Sequence, residues 1–205
     1  MSGASARLRY LLPVGLAAVL AGAEGCGPPA AVPGPAERLY QGTRPPLALR
    51  FVYPSAWRLS DEQRALEPFT GLRLLGPRNQ EDTYTASITI RAVRPADDPA
   101  LPLEVRVREY LDHLPDGAVV ERRTARKLEQ APAEDLVVSL SVLFFRSGLK
   151  PLPIPVKTRA VFFRRGPYLY WVMYSADARD YAAHEPVFER LLASLRVPSA
   201  IRQGD

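Results

Sequence analysis

The chain of 205 residues has a single Cys, two His, two Trp and two Met. One Cys cannot close an internal disulfide, and one Cys with two His cannot complete a structural zinc site of Cys and His alone. No apolar run reaches the ~18 residues that span a bilayer, which excludes a polytopic membrane protein. Gly-x-Ser-x-Gly elbows, phosphate-cradling Gly-rich loops, His-Glu-x-x-His and calcium-loop patterns are all missing, so no sequence signature of an enzyme is found. What is plentiful is Pro, 21 residues against 13 Gly, crowded near the N-terminus. The hydrophobic share of 47% and charged share of 24% are those of a globular protein, and the net charge is a modest +5.

Residues 1–25 have the organisation of an export signal. Arg7 and Arg9 form a basic start, and Leu11 to Ala23 is an uncharged apolar stretch too short to anchor a membrane. Two processing outcomes stay open. Ala21-Gly22-Ala23 fits small-x-small cleavage and would give a soluble secreted or periplasmic protein. Ala23-Glu24-Gly25-Cys26 resembles a bacterial lipobox, in which Cys26 becomes the acylated first residue, although Ala23 and Glu24 depart from the usual Leu and small residue. The only Cys of the chain standing at that place favours lipidation of Cys26. Residues 26–46, with six Pro and no apolar periodicity, then read as a semi-rigid tether. The expected address is the cell envelope, lipid-anchored and facing periplasm or exterior.

From residue 47 to 198 the apolar period switches between two and 3.6. Strands are expected over Leu47–Tyr53, Trp57–Leu59, Leu72–Leu75, Thr83–Val93, Val119–Leu128, Leu136–Phe145, Thr158–Phe163 and Tyr168–Tyr174. Val107, Tyr110, Leu111 and Leu114 stripe one helix; Phe188, Leu191, Leu192 and Leu195 stripe a second, with Pro186 as its first residue and a lead-in turn behind Asp177. Strands apolar on both alternations need cover on both faces, so one helix on each side of the sheet, or both on one side, are the two arrangements. Residues 199–205 form a tail.

Phe51-Val52-Tyr53-Pro54-Ser55-Ala56-Trp57 is similar to the strand-Pro-x-Gly-Trp opening of the PsbP-like group, with Ala56 for Gly. The aromatic strand ending at Tyr174, the helical turn, Pro186-Val187-Phe188 and the closing Ser194-Leu195 resemble its ending. The resemblance implies a single α+β domain, a PsbP-like α/β/α sandwich with a largely antiparallel sheet and about two main helices. It also implies a non-catalytic binding or assembly subunit; no ligand residue is carried over.

The candidate chemistry is sparse. Asp112-His113 and His184-Glu185 set imidazole beside carboxylate, but neighbours on a helix point about 100° apart and surface roles are expected. Asp97-Asp98 and Glu81-Asp82 could weakly hold a hard cation, with solvated acids the plainer reading. No cofactor and no metal ligand are assigned. Arg122, Arg123, Arg126 and Lys127 cluster without interleaved aromatics, which argues for a solvated face and against nucleic acid. Tyr168, Tyr170 and Tyr174 alternate to one face and Trp171 to the other, where core packing explains most of them. The stretch 146–156 is the least explained: Pro151, Pro153 and Pro155 interleave with apolar residues and make a central strand unlikely. It either crosses the sheet edge or projects as a partner arm presenting Leu149, Leu152, Ile154 and Val156. The expected partners are the membrane, through the lipid, and an unidentified envelope protein. The alternative function is a carrier or sensor of a small apolar ligand or a metal.

Overall fold

A computed structural model describes residues 34, 36–66, 69–93, 102–145 and 150–198. The export signal over 1–25, Cys26, Asp97, Asp98, Leu149 and the tail over 199–205 lie outside the described residues. In chain order the elements are β1 (Glu37–Gln41), β2 (Arg50–Pro54), β3 (Arg58–Leu66), β4 (Phe69–Arg78), β5 (Thr85–Val93) and α1 (Leu103–Asp112). They continue with β6 (Val119–Leu128), β7 (Ala131–Phe144), β8 (Leu152–Arg165), β9 (Tyr168–Asp177) and α2 (Tyr181–Ser194).

Seven strands form one antiparallel sheet in the order β3-β4-β5-β9-β8-β7-β6, and β1 pairs with β2 in a separate ribbon. Register decides which side chains share a face. Val161, Phe163, Tyr170, Val172, Tyr174, Ile88, Ile90, Leu72 and Leu74 face α2, where Phe188, Leu191 and Leu192 complete the larger core. The alternate residues Leu136, Ala160 and Phe162 meet Val107, with Tyr110, Trp171 and Met173 packed around them under α1. One helix on each side is therefore the arrangement adopted. The apolar alternation on both faces of β8 and β9 has its cause in these two cores.

Three details differ from the sequence reading. The tether expected over 26–46 contains β1, because Glu37–Gln41 pairs along β2 and Tyr40 stacks on Phe51 at 4.9 Å between ring centroids. The helix expected from Pro186 begins at Tyr181, and Pro186 lies inside it. Its Ncap is Asp180, while Asp177 accepts the Arg179 N–H at 3.0 Å and shapes the preceding turn. The proline-rich stretch is not a loop: Leu152–Val156 belongs to β8.

Candidate functional site

The proline-bearing part of β8 has a backbone reason for its place in a strand. Leu152 to Val156 pairs with Phe144 to Leu140 of β7, whereas β9 stops at Asp177, opposite Val156. The Pro155 carbonyl accepts the Ala178 N–H at 2.8 Å, so the backbone of Pro155 points away from β7. By the alternation of an antiparallel ladder Pro153 points the same way, into the space that β9 has left. Both missing N–H groups thus fall where no ladder bond is needed.

The other side of this hairpin is also open. Strand β6 begins at Val119, opposite Ser139, so residues 140–144 of β7 run on without a described neighbour beyond β8. Ser141 and Leu143 face Pro155 and Pro153 across the pair, and so turn their own N–H and C=O groups outward along the edge away from β8. The result is a two-stranded arm with two unlike edges. The β8 edge is closed to further pairing by Pro, and the β7 edge presents donors and acceptors at alternate residues.

The arm exposes several large apolar side chains. Leu143 is 54% exposed, Leu152 51% and Phe145 70%, and Val119, Val120 and Val142 join them at the base and flank. Gly117, Val119, Ser139, Ser141, Pro153 and Pro155 line a shallow depression of about 410 Å³ at its root. Of the four residues expected to face a partner, Leu152 is exposed, and Leu149 lies outside the described residues. Ile154 and Val156 do not: at 3% and 1% exposure they anchor the arm from within. Sequence reasoning missed Val142, Leu143 and Phe145, whose signal was an apolar run continuing past the end of the neighbouring strand. An exposed sheet edge is the element to which an extended peptide adds as a strand in β-augmentation.

The remaining candidates resolve into structural contacts. His113 Nδ1 lies 2.6 Å from the Glu109 carbonyl at the end of α1, and the His184 ring packs edge-on against Trp57 at 6.3 Å. Neither forms a dyad with its neighbouring acid: Glu185 instead takes a hydrogen bond from Arg159 Nη1 at 2.9 Å. Glu81 pairs with Arg179, and Asp82 with Arg78 at 2.7 Å, so these acids are neutralised by arginine. In the basic cluster Arg123 pairs with Glu134 at 3.0 Å and Arg126 with Asp135 at 3.0 Å. Tyr170 and Tyr174 are wholly buried in the α2-side core, where burial raises both phenols above their ordinary range. Among the described residues no group of three or more His, Cys, Asp or Glu could hold a metal ion, and no helix is long and apolar enough to cross a membrane.

No protein-family model matches the sequence, and no curated protein matches it. Solved structures do match. The chain is similar to the cyanobacterial PsbP protein, CyanoP, of Synechocystis, with a TM-score of 0.53 and 16% identity over 84% of this chain and 98% of that one. It is similar to LpqN of Mycobacterium tuberculosis, a protein involved in cell envelope biogenesis, at TM-score 0.52 and 16% identity over 79% and 91% of the two chains. The Ran-binding protein Mog1p of Saccharomyces cerevisiae matches at TM-score 0.50 and 11% identity over 78% of this chain and 95% of its own. The chain has the PsbP-like fold.

Proposed function

We propose that this PsbP-like chain is a non-catalytic protein-binding subunit of the bacterial cell envelope. Its β7–β8 arm takes an extended apolar segment of another envelope protein. The observation that carries this reading is the arm itself: exposed Leu143, Phe145 and Leu152 beside one backbone edge with no neighbour among the described residues and one edge closed by Pro153 and Pro155. A solvent-exposed apolar strand edge is an aggregation hazard, and native proteins blunt such edges unless something pairs with them. Here one edge is blunted and the other is not. Two proteins of the same fold lend support, one involved in envelope biogenesis and one binding Ran.

Acylation of Cys26 would hold the domain at a membrane, with the Pro-rich residues before β1 as the tether. Fractionation of cells expressing wild type and Cys26→Ser tests this part by itself. Wild type is expected in the membrane fraction with an intact mass for a lipidated chain starting at Cys26, and the variant in the soluble envelope fraction. A mass matching cleavage after Ala23, with a free thiol, would replace lipidation by soluble export and leave the arm reading untouched. For the arm, the double variant Leu143→Ser/Leu152→Ser should keep its thermal midpoint and lose co-purification of a discrete envelope protein. Retention of that protein by the variant would remove the arm as the binding surface.

A further inference from the structure

At the end of the sheet opposite the arm, four segments distant in sequence enclose a cleft. It lies between the turn joining β6 to β7, the turn joining β8 to β9, the start of β2 and the chain that leaves α2. One part, of about 410 Å³, is lined by Arg50, Glu129, Arg165 and Arg196 with Leu49 and Val197 as apolar wall. The adjoining part, of about 580 Å³, shares Glu129, Arg165 and Arg196 and adds Lys127. These are the dimensions of a small-ligand site, which runs roughly 300–1,000 Å³.

The charge in the cleft is one-sided. Arg50, Lys127, Arg165 and Arg196 line it, with Arg126 already held by Asp135, and among the described residues Glu129 is the only carboxylate lining it. Glu129 already has a structural task. It sits in the positive-φ turn between β6 and β7, at φ 48°, and accepts the Val197 N–H at 2.6 Å. It also forms an ion pair with Arg196 Nε at 3.8 Å, while Arg196 Nη1 donates to the Ala193 and Leu195 carbonyls at 3.0 and 2.8 Å. The Arg50 Nε–H is buried and, among the described residues, has no hydrogen-bond partner. A buried donor left unpaired is costly.

We propose that this cleft binds a phosphate group, carried by a phospholipid headgroup or by a soluble phosphate ester. Guanidinium groups offer paired donors that match phosphate oxygens, and several cations against one acid favour a ligand with more than one negative charge. The apolar wall formed by Leu49, Val197 and Leu192 suits an ester with a carbon body attached to the phosphate. The inference is independent of the partner arm, since it uses none of the arm's residues and lies at the other end of the strands.

Calorimetric titration of the purified mature protein with two probes tests it: inorganic pyrophosphate, and dihexanoyl phosphatidylglycerol below its micelle concentration. Saturable binding of at least one probe is expected, weakening as salt is raised. Arg50→Gln should weaken it by roughly tenfold, the loss of one charge-assisted pair. Lys127→Gln, at an exposed site where folding is not at stake, should weaken it by about threefold and decides the matter if Arg50→Gln fails to fold. Binding of pyrophosphate alone assigns the site to soluble phosphate esters, and binding of the lipid alone assigns it to headgroups. No saturable heat with either probe, or equal affinity in wild type and Lys127→Gln, would overturn the proposal.

Discussion

Arg159 reaches diagonally from β8 to Asp135 on β7, placing Nη2 2.7 Å from Oδ2 and Nε 2.9 Å from Oδ1. Both side chains are almost wholly buried beneath α2. Glu185 and Glu189 of α2 close on the same guanidinium at 2.9 and 2.7 Å, and Arg126 of β6 supports Asp135. Burial pushes the Asp135 carboxyl up, but hydrogen bonds and charge from Arg159 and Arg126 outweigh it and hold it below the usual carboxylate range. The guanidinium also lies over the Phe188 ring, 5.5 Å from its centroid. One cation thus ties α2 to β7 through its own strand.

Removing one partner of this pair leaves the other charged and buried. Asp135→Ala is expected to lower stability by about 3–5 kcal/mol. The double variant Asp135→Leu/Arg159→Met should lose less than the single one, because the buried guanidinium, left with only the more exposed Glu185 and Glu189, is removed together with the carboxylate. Urea unfolding of the three proteins measures this, and a double variant weaker than Asp135→Ala would contradict it.

The buried Asp177 makes stability depend on acid. Arg179 hydrogen bonds, with help from Asn79 at 2.8 Å, hold its carboxyl well below the usual range against the opposing effect of burial. A depressed folded value means that the unfolded chain takes up the proton first. The stabilisation is therefore complete above the unfolded value near 3.9 and is lost as pH falls below it toward the folded value. The urea midpoint should be level from about pH 7 to about pH 5 and decline below about pH 4. Asp177→Asn should decline less steeply.

Trp57 packs flat over Gly76, where a Cβ would come within 2.6 Å of the indole ring. Gly76→Ala should therefore cost about 1–3 kcal/mol by overpacking and shift the Trp emission as the ring is displaced. An unchanged spectrum with an unchanged midpoint would show that the ring moves freely.

The arm's closed edge is testable by itself. Pro153→Val/Pro155→Val restores two N–H groups on the open side of β8 and creates a second pairing edge. The thermal midpoint should hardly change, while light scattering should show self-association that rises with concentration. A monomeric variant would mean the prolines do not guard that edge.

Much of the fold was legible because burial imposes periodicity. Strand β6 was read with its observed ends and β5 within two residues, while the readings over 136–145 and 168–174 missed the buried start of β7 and the buried end of β9. Strand β1 left no such signal: Glu37, Arg38 and Gln41 break any alternation, and its stability comes from β2 and from the Tyr40–Phe51 stack. Pro186 was read as a helix start since it favours the first turn, but Tyr181 packs on Tyr174 at 4.9 Å and draws the helix back five residues. The prolines of β8 argued against a strand until the missing β9 neighbour supplied the reason they fit. The cationic cleft could not be read at all, because Arg50, Lys127, Arg165 and Arg196 are brought together only by the folded chain.

The central claim is that the free β7 edge of the arm receives a protein partner. Its most direct measurement places a photo-crosslinking amino acid at Leu143 in the otherwise intact chain, identifies the adduct formed in cells, and measures the affinity of that purified protein for the domain. The account predicts one discrete adduct absent from a control probe at Arg123. It further predicts an affinity that falls by roughly tenfold or more in Leu143→Ser/Leu152→Ser with the fold unchanged. No adduct at position 143, or equal affinity for wild type and variant, would contradict it.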